Sequence, residues 1–121
     1  MSRVFKTRTF SRWMRRAGLE DEALKAAVVE MEAGLVDADL GGCLLKKRVP
    51  LGNRGKRGGA RTIVATRFSG SWFFVFGFGK NERASIEKDE LRALQEVAVT
   101  LLALRDDELA EAVSVGELLE V

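Results

Sequence analysis

The sequence has no histidine, no tyrosine, one cysteine and one proline among its 121 residues, and each shortage removes a class of chemistry. Without an imidazole, a serine or cysteine nucleophile lacks its usual base. Zinc loses its commonest ligands, and the carboxylates that remain read as dispersed helix-surface residues, so no metal and no cofactor is expected. Cys43 cannot form an internal disulfide, which suits a reducing compartment; it reads as a small, partly buried side chain. No apolar stretch approaches the roughly 20 residues of a membrane-spanning helix. The first sixteen residues are basic but lack the apolar run of a secretory signal. Their Arg and Ser without acids also suit a transit peptide, yet Phe10, Trp13 and Met14 read better as the inner face of a helix. The expected location is the cytoplasm.

What is present is charge sorted into blocks. Residues 1–16 carry six Lys/Arg and no acid, and residues 17–45 carry seven acids and only Lys25. Residues 46–83 carry ten bases against Glu82 alone, and residues 84–121 ten acids against three bases. The overall net charge of +2 therefore conceals one expected positive face and one negative face. A positive face steers polyanions, and an acidic back maintains solubility. A solvated basic surface of no consequence is the plainer alternative. Crowding so many positive charges into one segment, however, costs self-repulsion.

Length and periodicity predict one domain over residues 1–121, with 105–121 as a C-terminal extension. A short strand is expected at Arg3–Lys6, then a helix capped by Thr9 or Ser11 and stopped at Gly18. A second helix runs from Glu20 to about Ala33, with Leu24, Ala27, Val28 and Met31 as its apolar stripe. Residues 35–43 read as loop, Cys43–Val49 as a strand ended by Pro50, and Leu51–Ala60 as a glycine-rich basic loop. Two strands, 61–68 and 71–78, join at Ser69-Gly70. The continuous run Trp72–Phe78 suggests a central strand covered on both faces. A helix from about Ile86 to Leu104 follows, then a short one capped by Asp106, then a last strand or extended arm at Glu117–Val121. The fold class is α+β: a small, mostly antiparallel sheet with two N-terminal helices and a C-terminal helix packed on it.

Two phosphate-loop patterns fail on inspection. Gly52–Arg57 has Arg57 where a Walker A loop needs Ser or Thr, and Pro50 where it needs glycine. Gly77-Phe78-Gly79 has Glu82 where the third glycine of a dinucleotide fingerprint belongs. The surviving toolkit is Arg, Lys and backbone. One reaction fits it: cleavage of RNA by its own 2′-hydroxyl, in which the protein positions the substrate, neutralises the phosphate and assists proton transfer. Arginine is planar, permanently charged and bidentate toward phosphate. A lysine among other cations gives up its proton more readily and can share acid–base duty. If strands 61–68 and 71–78 form a hairpin, Lys56, Arg57, Arg61, Lys80 and Arg83 converge at one sheet end. Phosphate binding without chemistry is the competing reading. Trp72-Phe73-Phe74 as a base-stacking platform is weighed too, although a continuous run reads better as core.

Leu44–Val49, Gly55–Ile63 and Phe76–Arg83, with GKRGG and KNER as their most specific parts, resemble the HigB-like branch of the RelE/ParE toxin superfamily. That resemblance implies a RelE-like fold, ribosome-dependent cleavage of messenger RNA through 2′-hydroxyl attack, and neutralisation by a cognate antitoxin protein. It carries the catalytic roles onto Lys56, Arg57, Arg61, Lys80 and Arg83. Substrate binding falls to Lys47, Arg48, Arg54, Arg67 and Asn81. Some relatives place a Tyr or His by the scissile phosphate, which this sequence cannot supply. Two other functions remain open at this level: inhibition of DNA gyrase in the manner of ParE-type relatives, and antitoxin binding without activity.

Overall fold

A computed structural model describes residues 2–51 and 59–121. Strand β1 (Arg3–Thr7) runs directly into helix α1 (Arg8–Ala17). The cap is Thr7, whose Oγ1 accepts the Phe10 N–H at 3.1 Å, and not Thr9 or Ser11. Both of those sit inside the helix, because the strand leaves no linker before it. Gly18, at φ 76°, ends α1 with its N–H on the Arg15 and Met14 carbonyls, a left-handed turn that glycine makes without a steric penalty. Helix α2 (Asp21–Glu32) buries Leu24, Ala27, Val28 and Met31, the stripe expected from its spacing, and carries Asp21 and Glu22 in its first turn, where the helix dipole favours acids.

Strand β2 (Ala38–Gly41) stands where a loop was expected, paired antiparallel with β3 (Leu44–Val49). The turn between them uses positive φ at Gly41, Gly42 and Cys43. Cys43 is exposed on this turn, not partly buried as its residue type suggested. Strands β4 (Ala60–Thr66) and β5 (Ser71–Gly79) form the expected hairpin, although Arg67 and Phe68 lie in the turn and not in the strand. Helix α3 (Lys88–Leu102) begins with Glu90 Oε1 accepting the Glu87 N–H at 3.0 Å. Helix α4 (Asp106–Ser114) begins likewise, Glu108 Oε1 accepting the Arg105 N–H at 2.9 Å; Arg105 and not Asp106 is thus its cap residue. The C-terminal segment is a strand, β6 (Leu118–Glu120), antiparallel to β1.

The sheet order is β2-β3-β4-β5-β1-β6, with only the β1–β5 pair parallel. Helices α1 and α2 cover one face, where Phe10, Trp13, Leu24 and Met31 pack on Leu45, Val64, Trp72 and Phe74. Helices α3 and α4 cover the other, where Ala98 and Leu109 pack with Phe5, Leu44, Ile63, Phe73 and Val75. Strand β5 is therefore central and covered on both sides, as its unbroken apolar run implies. Each of its fully buried aromatics contributes on the order of 1.5–3 kcal/mol of hydrophobic stabilisation.

A bulge gives β5 its functional twist. Ile63 pairs with Phe76 and Val64 with Phe74, which leaves Val75 as the extra residue. The added residue shifts the alternation by one. Phe76 consequently packs with the α3–α4 cluster beside Val75, while Gly77 turns toward Trp13 on α1. The lack of a side chain matters here: a Cβ on Gly77 would stand 2.4 Å from the Trp13 ring.

Candidate RNA-binding site at the end of the sheet

Strand alternation divides the basic run of β3. Leu45 and Val49 belong to the α1–α2 core, and so does the side of the strand that carries Lys47. Lys47 is buried, its Nζ 2.7 Å from Glu30 Oε1 and donating to the Leu35 carbonyl at 2.9 Å. It ties β3 to the end of α2, and its ammonium is not presented to a substrate. Lys46 and Arg48 share the opposite face with Leu44, the period of two placing them there.

On that face the register aligns Arg48 with Arg61, and Arg61 with Phe78. One row inward lie Lys46, Ile63 and Phe76. Directly opposed residues of an antiparallel pair hold their Cβ atoms about 5 Å apart, and like charges so placed repel. Asp37 partly offsets this. Its carboxylate accepts the Arg48 backbone N–H at 2.7 Å and the Arg48 Nε at 3.0 Å. Burial pushes the Asp37 carboxyl up, yet these Arg48 donors outweigh it and hold the group below its ordinary value. Arg61 is half-buried and donates from Nη1 to the Gly59 carbonyl at 3.3 Å. Among the described residues neither Arg61 nor Lys46 makes an ion pair.

The turn after β5 brings the second group of cations. Ala60 pairs with Gly79 and Arg61 with Phe78, so Lys80, Asn81 and Arg83 leave from the same sheet end as Arg61. The Arg83 guanidinium lies 5.5 Å from the Phe76 ring centroid and 6.0 Å from that of Phe78, within reach of cation–π attraction. Its Nη1 pairs with Glu90, which raises the Arg83 pKa and lowers that of Glu90. Glu90 Oε1 also accepts the Glu87 N–H. Arg83 is thereby fixed to the first turn of α3 and to two aromatic rings together. Lys80 and Asn81 are exposed and line a depression of about 410 Å³ with Gly59, Gly79 and Leu51.

Four expected members of the site stand elsewhere or lie beyond view. Arg67 is at the far end of β4, roughly 20 Å along the strand from Arg61, where its Nη1 donates to the Leu102 carbonyl at 2.9 Å. Lys56, Arg57 and Arg54 lie outside the described residues.

Sequence reasoning passed over three participants. Lys46 was legible in the Leu45–Lys47–Val49 alternation, which places it and not Lys47 with Arg48. Glu82 is the pivot of the KNER turn: its Oε1 accepts the Gly79 N–H at 2.9 Å and the Trp13 Nε1–H at 3.2 Å. Those two donors hold its carboxyl below the ordinary range. The third is a cleft of about 290 Å³ between α1 and the end of β5, lined by Arg12, Trp13, Arg16, Phe76, Phe78 and Arg83 among others. It exists because β1 pairs with β5 only as far as Phe74, after which α1 crosses instead of a strand.

Among the described residues no group of three or more His, Cys, Asp or Glu is placed to hold a metal ion, and no helix is long and apolar enough to cross a membrane. The fold and site together define a small α+β protein with a cationic sheet end. A family model described as the RelE toxin of the RelE/RelB toxin–antitoxin system matches residues 2–121. The chain belongs to the RelE toxin family. No curated protein matches it.

Proposed function

We propose that this toxin is a ribosome-dependent endonuclease of messenger RNA, working in the cytoplasm and held in check by a cognate antitoxin protein. The observation that carries the reading is the pairing of Arg61 against Arg48 across β3–β4, beside an Arg83 held over Phe76 and Phe78. Arginines at opposed register positions on one sheet face, with Arg48 paired to Asp37 and Arg83 to Glu90, suit a bound polyanion better than an empty surface.

The reaction needs no protein nucleophile. The substrate's 2′-oxygen attacks the adjacent phosphorus, and the bond from phosphorus to the 5′-oxygen breaks. One product ends in a 2′,3′-cyclic phosphate and the other in a 5′-hydroxyl. A proton leaves the 2′-hydroxyl for a base, and the departing 5′-oxygen takes one up. In this reading Arg61, with Arg57, clamps the scissile phosphate and offsets the charge that builds on it. Lys80 and Lys56 share the proton transfers. Asn81 and Arg83 orient the strand, Arg83 held rigidly by Glu90 and its two rings. Arg48 and Lys46 supply positive potential from β3.

Primer extension on cellular mRNA after expression tests this. Discrete cuts linked to codon positions, abolished by Arg61→Ala, are expected. Growth arrest with intact mRNA would overturn it, and inhibited DNA supercoiling in that case would assign a gyrase target instead. Absence of growth arrest without the antitoxin would leave a binding partner with no activity.

A further inference from the structure

Among the described residues α1 is the one helix without an acid, and its arginines face outward. Arg8, Arg12, Arg15 and Arg16 are all exposed, while Phe10, Trp13 and Met14 are buried. The Arg8 side chain donates to the Gly116 carbonyl, but the side chains of Arg12, Arg15 and Arg16 make no hydrogen bond or ion pair with the described residues. Arg12 and Arg16 are four residues apart, just over one turn and about 6 Å along the axis, and both line the cleft beside β5. Arg83 lines the same cleft and also stands over Phe76 and Phe78 on the face that carries Arg61. One side chain thus joins two cationic surfaces.

Resting on the reading of the protein as an RNA-cleaving toxin, we propose that the α1–β5 cleft is a second RNA subsite, in which Arg12 and Arg16 grip the phosphodiester backbone next along the strand from the nucleotides at Arg61. The chain of RNA passes from the sheet face around Arg83 to α1. The cleft volume of about 290 Å³ lies at the small end of ligand pockets and suits one nucleotide, not a folded partner. Phe76, half-buried, gives it an aromatic edge for a base. Glu82 is the one acid among its lining residues. Its Oε1 is engaged by Gly79 and Trp13, and three arginines leave the cleft positive. An anionic strand is thereby favoured over a neutral small molecule.

The test is fluorescence anisotropy with the whole chain and a labelled single-stranded oligoribonucleotide carrying 2′-O-methyl sugars throughout, so that no free 2′-hydroxyl is left to attack and it binds without being cut. The unaltered protein, Arg12→Ala/Arg16→Ala, Arg12→Lys/Arg16→Lys and Arg61→Ala are compared across salt. The double alanine variant is expected to bind about tenfold more weakly at low salt, with the slope of log affinity against log salt reduced by about 1.4, that is, two single-strand phosphate contacts. The double lysine variant retains the slope. Unchanged affinity and slope in the double alanine variant, with Arg61→Ala still weakened, would overturn the subsite and leave the proposed function standing. No oligonucleotide binding by the unaltered chain would overturn the subsite and leave the ribosome-dependent function to its own primer-extension test. Loss of binding to a polyglutamate peptide, with RNA affinity intact, would assign these arginines to an acidic protein segment and overturn the RNA assignment.

Discussion

The carboxylate of Glu82 receives the indole N–H of Trp13 at 3.2 Å while also accepting the Gly79 N–H at 2.9 Å. One oxygen atom therefore binds helix α1, the last residue of β5 and the turn carrying Lys80, Asn81 and Arg83. The sign of its pH dependence follows. The Gly79 N–H first, and the Trp13 N–H second, lower the folded-state pKa of Glu82. Its stabilisation is present above the ordinary glutamate value near about 4.3 and is lost as pH falls through the lower folded value. The group is largely exposed, so solvent screening keeps the effect modest. Glu82→Gln is expected to flatten the acid limb of stability against pH. Urea unfolding between neutral pH and the acid transition checks this, and an unaltered limb would show that the contact is not felt.

Gly77→Ala is expected to destabilise the fold by about 1–3 kcal/mol, the usual cost of overfilling a packed contact. The new methyl would fall 2.4 Å from Trp13 Cζ3, and the indole cannot retreat without giving up Glu82. Urea denaturation, together with a change in tryptophan emission, reports it. A stability equal to that of the unaltered protein would mean that α1 shifts freely over β5.

Lys46 and Lys47 are neighbours in sequence with opposite duties. Lys47→Ala removes a side chain that is 3% exposed from its pair with Glu30, itself 34% exposed. The expected loss is about 2 kcal/mol, below the range for a fully enclosed pair. Lys46→Ala is expected to leave stability within about 0.5 kcal/mol and to weaken RNA binding and cleavage. Denaturation and cleavage measured on both variants separate the two. An equal effect of the two substitutions on stability would contradict the assignment of faces.

These contrasts show where the sequence was legible. The α2 stripe and the β5 aromatic run announce themselves because long elements repeat their period often enough to read. Strand β2 does not, because its four residues exist only through pairing with β3 across the Gly41-Gly42-Cys43 turn. The hairpin that unites Arg61 with the KNER segment was readable from its turn signal. The same hairpin carries Arg67 to the opposite end, which a count of charges within the segment conceals. Glu82 looked like the lone acid interrupting a basic block. Its role depends on Trp13, 69 residues away in sequence, and local pattern holds no trace of that meeting.

The central claim, that the cationic sheet end cuts RNA through the substrate's own 2′-hydroxyl, is tested most directly on a ribosome programmed with a message whose cleaved codon is known. A single 2′-deoxy sugar is placed 5′ to the scissile phosphate, and the product ends are mapped. The account predicts a cut in the all-ribose message that leaves a 2′,3′-cyclic phosphate and a 5′-hydroxyl, no cut at the deoxy position, and none with Arg61→Ala. Cleavage at the deoxy position, or full cleavage by Arg61→Ala, would contradict it.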